Sequence, residues 1–501
     1  MLVLTNSQMR EADAYTIDVL GVESGVLMRR AGEALALAAQ TLAPVGKILC
    51  VCGGGNNGGD GFVCARALMI NGRDVDVVCF ATRTSKECEE SKQAYLSAGG
   101  VLLSHFANEK YSLVIDCLLG TGFFGKLKTQ YIEAIERINE YRKAGANILS
   151  ADIPSGVNGD NGKVEEVAVR ATQTLCIGER KAGVYLGDGI DYAGEVLRVD
   201  IGIALPQTGY AQLITDKDAQ KALPKRNRNT HKGNYGKAAI VAGSEQYSGA
   251  AWLSFAACLR CGAGYTTLFT PKTLGKQFML KEPEGLLVST NDGGRYAFNQ
   301  EVMQTLLGYS SVAYGMGMGI DEEVARGAEY LLKEYEGTLI LDADGLNALV
   351  EYRKEQLPTL FRAKKCGVLL TPHIKEFSRL TGESVQVILE KGLCAPYAFA
   401  KEHGVTVLLK NAVTLVCDGD KTALNARGSA GQAKGGSGDV LSGVVAGLCA
   451  QGLSPFTGGC VGAYLTGVAA EIAEGRKGEY AMLPRDVIEC LPEAFLSLRK
   501  L

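Results

Sequence analysis

Neither sign of charge is in excess: 52 Lys and Arg face 55 Asp and Glu, for a net charge of −3. Without a global positive field, nucleic acid and anionic membranes are not expected partners, and any anionic ligand is met locally. No uninterrupted apolar run reaches the roughly 18 residues a membrane span needs. Arg10, Glu11 and Asp13 interrupt the N-terminus before a signal-peptide core can form, so the expected compartment is the cytoplasm. Also absent are the G-x-x-x-x-G-K-[ST] phosphate loop, the H-E-x-x-H zinc helix and the G-x-S-x-G nucleophile elbow. There is no internal repeat and no low-complexity tail.

What is present is globular: 47% hydrophobic and 21% charged residues, in 501 residues. At roughly 150 residues per domain, two to four domains are expected. The 63 glycines imply many tight backbone turns. The 15 cysteines are odd in number and often lie in apolar runs such as Ile48-Leu-Cys50-Val-Cys52, so they are expected reduced and buried. Cys258-Leu-Arg-Cys261, the sole C-x-x-C, has no second half-site and sits in a helix-period apolar segment, which points to core packing.

Two helical segments, 7–21 and 25–44, precede strands expected at 48–52, 75–80, 113–119, 148–153, 174–177 and 196–201, with helices between the first four. That alternation is the signature of βαβ units and a parallel, Rossmann-like α/β/α layer. Residues 204–232 lose the rhythm, with Pro206, Pro224 and the basic cluster Lys225 to Arg228, and are expected to be a linker. The boundary is placed at 215, giving domains 1–215 and 216–501. The second half is again α/β, with strands at 238–242, 339–341 and 368–370 and a small-residue helix at 249–261. A hairpin turning at Asn411-Ala412 and two Gly- and Ala-rich helices at 439–450 and 458–473 follow.

Chemistry gathers at strand ends. The strand 48–52 runs into Gly53-Gly-Gly-Asn-Asn-Gly-Gly-Asp60-Gly61 and then a helix, so free amides and a helix N-terminus converge on one anion site. The glycines satisfy G-x-G-x-x-G, but the acidic residue expected about 20 positions on is replaced by Phe80-Ala-Thr-Arg83. The glycines alone fit a tight turn as well as a ligand loop; Asn56 and Asn57 favour a ligand. At the same sheet edge stand Asp116 before Gly120-Thr-Gly122, and Asp152-Ile-Pro-Ser155. Asn57, Asp116 and Ser155 offer hard oxygen ligands to a cation and leave Asp152 for proton transfer. The plain alternative is that these are strand-end caps and turn formers.

In the second half, Gly435-Gly-Ser-Gly438-Asp439 opens a helix, so amides can surround a phosphoryl group with a carboxylate poised as base. A capped helix with packing glycines is the alternative. Lys410 at the hairpin can hold a diphosphate by charge, or simply be an exposed lysine. Asp342-Ala-Asp344-Gly-Leu-Asn347 and Thr371-Pro-His373-Ile-Lys-Glu376 place carboxylates and an imidazole near the same edge, unless the aspartates only cap the next helix.

In combination the motifs carry a family resemblance. Asn56 to Gly61, Gly120 to Gly122 and Asp152 to Gly156 resemble the NAD(P)H-hydrate epimerase domain. His231-Lys-Gly233, Ser248-Gly-Ala250, Asp342 to Asn347, Thr371 to His373, Lys410 to Thr414 and Gly435 to Asp439 resemble the ADP-dependent NAD(P)H-hydrate dehydratase, a ribokinase-like fold. Together they resemble the bifunctional NAD(P)H-hydrate repair enzymes over nearly the whole chain. The resemblance implies that Asn56, Asn57, Gly58, Gly59, Asp60, Gly120, Thr121, Gly122, Phe123, Phe124, Gly125, Lys126 and Asp152 contact the hydrated dinucleotide. It implies potassium on Asn57, Asp116 and Ser155, and a homo-oligomer. In the second domain it implies that Ala250, Gly317, His373 and Asp439 line the hydrate site. Lys410, Asn411, Ala412, Val413, Thr414 and Gly438 would then hold ADP, with magnesium assisting. Gly317 belongs to Gly315-Met-Gly317-Met-Gly319, where methionines replace other small or apolar residues. Asp439 is then the expected base for phosphoryl transfer to the C6 hydroxyl of the hydrate, and Asp152 the expected proton-transfer group in epimerisation. Two other readings stand beside this one. The second half can be a kinase for a small alcohol, such as a hydroxymethylpyrimidine or sugar, and the first half a non-catalytic dinucleotide-binding module.

Overall fold

A computed structural model describes residues 1–81, 83–122 and 125–499. The chain forms two compact units, Leu2–Tyr210 and Ala211–Leu501 with Met1.

The first unit contains β1 (Leu2–Leu4), β2 (Ile48–Cys52), β3 (Val75–Cys79), β4 (Leu102–Leu103), β5 (Leu113–Cys117), β6 (Asn147–Ala151), β7 (Gln173–Ile177), β8 (Arg180–Lys181) and β9 (Glu195–Val199). Seven of them form a parallel sheet in the order β4-β3-β2-β5-β6-β7-β9. Strand β2 is wholly buried because both its faces are covered. Ile48, Cys50 and Cys52 face the helices Ser24–Leu42 and Asn56–Ile70, meeting Leu35, Phe62 and Leu68. Leu49 and Val51 face the helix Thr129–Lys143, meeting Ile135 and Ile138. The strand order reverses between β2 and β5, one leading to β3 and the other to β6. A crevice therefore opens outside their carboxyl ends, the usual ligand position in such sheets. The short β1 pairs in parallel with β8, Leu4 opposite Lys181.

The second unit contains β10 (Ala211–Leu213), β11 (Lys237–Val241), β12 (Tyr265–Thr270), β13 (Leu286–Ser289), β14 (Ser311–Tyr314), β15 (Thr338–Leu341), β16 (Gly367–Leu370), β17 (Thr406–Leu409), β18 (Thr414–Cys417) and β19 (Thr422–Asn425). Their order is β13-β12-β11-β14-β15-β16-β17-β18-β19-β10. The sheet is parallel as far as β17 and antiparallel through β18 and β19. The expected hairpin at Asn411-Ala412 is therefore present. Helix Ser437–Ala450 lies directly on helix Ser248–Leu259, since a Cβ on Gly443 would stand 2.0 Å from the Ser254 carbonyl oxygen. Glycine at the crossing lets the two backbones touch.

Two expectations need correction. Residues 204–232 are not a featureless linker: β10 pairs with β19, and helix Asp216–Ala222 begins at Thr215, whose hydroxyl and the Asp218 carboxylate form a reciprocal cap. Not every cysteine is buried: all are free, but Cys394 is exposed at the start of helix Cys394–His403, which turns Ala395, Pro396 and Ala400 inward instead. Cys258 and Cys261 are core residues as expected. No helix among the described residues is long and apolar enough to cross a membrane.

Candidate active sites

In the first unit, a cavity of about 790 Å³ opens at the β2/β5 switch point. Asn56, Asn57, Asp60, Gly120, Thr121, Gly122, Lys126 and Asp152 all line it. Gly58 and Gly59 stand behind its wall, where a Cβ would meet the Gly53 carbonyl at 2.0 Å and the Met28 sulfur at 2.6 Å. Their lack of a side chain lets the helix start against the glycine turn. Gly125 is exposed at φ 89 and off the cavity wall. Phe123 and Phe124 lie outside the described residues.

Asn57 and Ser155 converge on the Leu119 peptide, and Asp116 holds Ser155. The Asn57 amide donates to the Leu119 carbonyl at 2.9 Å, and the Leu119 N–H donates to Ser155 Oγ at 2.8 Å. Buried Asp116 accepts from the Ser155 hydroxyl at 2.6 Å, the Ser155 N–H at 2.9 Å and the Ser150 hydroxyl at 2.9 Å. Burial pushes its carboxyl up, and these hydrogen bonds oppose the rise. Asn57 Oδ1 is buried without a hydrogen-bond partner. An orphan acceptor beside a carboxylate and a hydroxyl is a donor set that fits a hard cation.

Asp152 is not free, as its strand-end position had suggested. It sits at φ 68, and its Oδ1 accepts from the Lys181 ammonium and, at 3.1 Å, from the Ile177 N–H. Lys181, 1% exposed, also donates to the Ile177 carbonyl at 2.6 Å. Two further carboxyls face this pair. Burial lifts Asp60 well above the usual carboxyl range, with Asp152 and Asp13 adding to the rise and Lys181 opposing it. Burial likewise raises Asp13 to about 6, with Lys181 opposing and Asp152 adding. Lys181 and Asp13 both line the cavity, and neither was singled out from the sequence. Asp13 lay in a helix expected from its periodicity alone, and Lys181 on a two-residue strand that carries no period signal. Two carboxyls raised by burial beside an ion-paired carboxylate and ammonium are an arrangement suited to moving a proton.

In the second unit, the two touching helices bring Ala250 and the Gly435–Asp439 loop to one sheet edge. Gly436, at φ 102, turns the chain into helix Ser437–Ala450. Lys410 Nζ donates to Asp342 Oδ1 at 2.7 Å, Ser442 Oγ donates to Asp342 Oδ2 at 2.7 Å, and a Cβ on Gly438 would stand 3.2 Å from Lys410 Nζ. Lys410 is thus tied into the centre rather than loose at the hairpin. Burial lowers its ammonium affinity for the proton, but the Asp342 and Glu376 carboxylates outweigh that, so it stays charged. Burial pushes the Asp439 carboxyl up to about 7, Asp342 and Asp344 adding and Lys410 opposing.

His373 caps helix Ile374–Thr381: its Nδ1 accepts from the Lys375 N–H at 3.1 Å and the Glu376 N–H at 3.2 Å. Its backbone pairs with Lys410, joining the imidazole to the same centre. Burial lowers its proton affinity, with Lys410 and Arg379 adding and Glu376 opposing, which favours a neutral ring. Gly317, at φ 65, packs on Ala250; a Cβ there would stand 2.8 Å from the Ala250 Cβ. At the hairpin, Asn411 and Ala412 are exposed, the Val413 side chain is buried in the core, and Thr414 opens β18. Of the hairpin residues only Lys410 reaches the carboxylates. Asp342 does not cap the next helix with its side chain, because Lys410 and Ser442 occupy it.

Comparison with known proteins identifies the families of both units. Residues 238–493 match the NAD(P)H-hydrate dehydratase family, and residues 24–183 match the YjeF-related protein N-terminus family. The bifunctional NAD(P)H-hydrate repair enzyme Nnr of Thermofilum pendens is 33% identical over 520 aligned positions, covering 100% of this chain and 97% of that protein. The enzyme of the same name from Moorella thermoacetica is 31% identical, covering 100% and 98%. Among solved structures, an ADP/ATP-dependent NAD(P)H-hydrate dehydratase from Bacillus subtilis, co-crystallised with ATP and Mg2+, matches with a TM-score of 0.50 and 26% identity. It covers 57% of this chain and 99% of its own. With a ribokinase-like second unit and a glycine-loop first unit, the chain belongs to the family of bifunctional NAD(P)H-hydrate repair enzymes.

Proposed function

We propose that the first unit, in the span 1–215, interconverts the R and S epimers of hydrated NADH and NADPH. The second, in the span 216–501, returns the S epimer to NAD(P)H with ADP as phosphoryl donor, giving AMP and phosphate. The observation that carries the reading is Asp439, a carboxyl raised to about 7 at the mouth of a glycine-rich helix N-terminus and beside Lys410. Hydroxide is a poor leaving group. Phosphoryl transfer from ADP to the C6 hydroxyl breaks the bond between the two ADP phosphates and replaces hydroxide with phosphate as leaving group. Asp439 takes the hydroxyl proton as the new P–O bond forms, and the amides of Gly436 to Gly438 stabilise the charge on the moving phosphoryl. The ring nitrogen then expels phosphate, and loss of a C5 proton restores the dihydronicotinamide. Ala250, Gly317 and His373 shape the hydrate pocket, while Lys410, the hairpin 411–414 and Gly438 hold ADP. A magnesium ion would be carried mainly by the ADP phosphates, as is usual for that ion.

In the first unit, Asp152 takes the C6 hydroxyl proton as the C6–N1 bond opens to an aldehyde and passes it to N1. Closure of N1 on the other face of the aldehyde, with the proton returned to oxygen, gives the other epimer. Lys181 fixes the Asp152 carboxylate, and the loops of 56–60 and 120–126 grip the dinucleotide. Asn57, Asp116 and Ser155 would hold potassium, which would order those loops; the orphan Asn57 Oδ1 supports that placement. Exchanging potassium for tetramethylammonium is expected to slow epimerisation by about tenfold or more and leave dehydration unaltered. Equal epimerisation in both salts would remove the ion from the reading. Cytoplasmic residence and homo-oligomerisation belong to the same reading, the first supported by the free, mostly core-packed cysteines. A small-alcohol kinase is not favoured by the family match. The deciding experiment incubates the full chain with S-hydrate and ADP and reads absorbance at about 340 nm alongside phosphate release. Recovery of absorbance with one phosphate per NAD(P)H supports the assignment, and phosphorylated alcohol without recovery supports the kinase.

A further inference from the structure

The segment after β3 carries a cation where the ribose-reading carboxylate of a dinucleotide fold ordinarily stands. Strands β2 and β3 pair in register from Ile48 opposite Val75 to Cys52 opposite Cys79, so they leave the sheet side by side. The Phe80 N–H donates to the Cys52 carbonyl at 3.0 Å, and the Ser85 N–H to the Gly54 carbonyl at 2.8 Å. Ser85 Oγ donates to Asn56 Oδ1 at 2.9 Å. A Cβ on Gly54 would stand 2.1 Å from the Arg83 carbonyl oxygen, so the two segments touch through the bare glycine.

Arg83 lines the same cavity as Gly54, Gly55 and Asn56. It is exposed, and its guanidinium forms no ion pair with any described carboxylate. No Asp or Glu occurs between Asp76 and Glu87. Glu87 also lines the cavity, but it stands on the next helix and accepts from Ser24 Oγ at 3.2 Å. In this kind of fold an acid at the end of the second strand binds the ribose 2′-hydroxyl, and an arginine nearby accommodates a 2′-phosphate. The guanidinium fork matches phosphate in geometry as well as charge, and against a neutral diol it gains little.

We propose that Arg83 sets cofactor specificity in the first site, selecting the hydrate with a ribose 2′-phosphate, that of NADPH, over that of NADH. The inference rests on the epimerase reading of that site. In the full chain, kcat/KM for epimerisation is measured with each hydrate for wild type, Arg83→Gln and Arg83→Lys. Binding of 2′,5′-ADP and of AMP is measured by calorimetry on the same proteins. Arg83→Gln is expected to lower the NADPH-to-NADH ratio of kcat/KM by roughly 10- to 100-fold, the scale of a charge-assisted hydrogen-bond pair, chiefly through KM. The ratio of 2′,5′-ADP to AMP affinity is expected to fall alongside, and Arg83→Lys to recover part of each loss. ADP-driven dehydration of S-hydrate by the same variants, a reaction of the other unit, reports that the chain is folded. Equal losses with both hydrates would give Arg83 to the shared pyrophosphate and overturn the proposal, as would an unchanged ratio. Failure of the epimerase reading looks different: wild type exchanges neither hydrate, while Arg83-dependent preference for 2′,5′-ADP persists.

Discussion

Asp439 and Lys181 show how much a single residue's surroundings decide. Asp439 follows three glycines and a serine, so nothing beside it in sequence shields or neutralises it; burial and the two aspartates of 342–344 raise it to about 7. Below that pH it is mostly protonated and cannot accept the hydroxyl proton. The kcat/KM for dehydration is therefore expected to climb about tenfold per pH unit below 7 and level off above it. A flat profile from about pH 5.5 to 8.5 would remove Asp439 as the base. Asp439→Asn keeps the shape but not the basicity, and is expected to cut ADP-driven recovery of absorbance by about 10²- to 10⁴-fold without loss of fold. Lys181 is a different case. Its ammonium is buried between Asp152 and the Ile177 carbonyl, so Lys181→Met leaves Asp152 without its counter-charge. A destabilisation of about 3–5 kcal/mol in urea unfolding of the first unit is expected, with loss of epimerisation. The motif around Asp439 was legible because all its parts are local. The Asp13, Asp60, Asp152 and Lys181 group was not, because four distant segments of chain supply it.

Among elements, the well-read ones are those whose surroundings agree with their local pattern. Strand β2 is apolar on both faces because helices cover both, and its bounds were read to the residue. The segment 204–232 was misjudged because its strand has only three residues and its prolines suggested a loop. A capping signal was nonetheless present, Thr215 followed three residues later by Asp218. Helix Asn56–Ile70 illustrates a tighter constraint. Its first turn lies so close to the preceding glycine loop that a methyl at Gly58 would collide with the Gly53 carbonyl at 2.0 Å. Gly58→Ala is expected to destabilise the first unit by about 1–3 kcal/mol and to raise KM for the hydrate, because loop and helix must separate. A thermal melt matching wild type would show that the turn can relax and that the glycine is not needed for this contact.

At the scale of the molecule, one chain carries two folded units, each with its candidate site at the carboxyl edge of its own sheet. Their existence was legible because the βαβ rhythm stops and restarts; their separate roles came from motif content, since both halves are α/β and composition does not distinguish them. If each unit is self-sufficient, residues 1–210 expressed alone exchange epimers and residues 211–501 alone dehydrate only the S form. An unfolded or inactive pair of fragments, measured by circular dichroism and turnover, would contradict that independence. The most direct test of the whole account is the course of absorbance at about 340 nm when the intact chain meets a mixture of R- and S-hydrates with excess ADP. The expected trace is biphasic and runs to complete recovery, a first phase consuming the S form and a second limited by conversion of R to S. Recovery that stalls once the S fraction is spent, or that proceeds no faster than spontaneous exchange, would contradict the epimerase half, and a flat trace would contradict both.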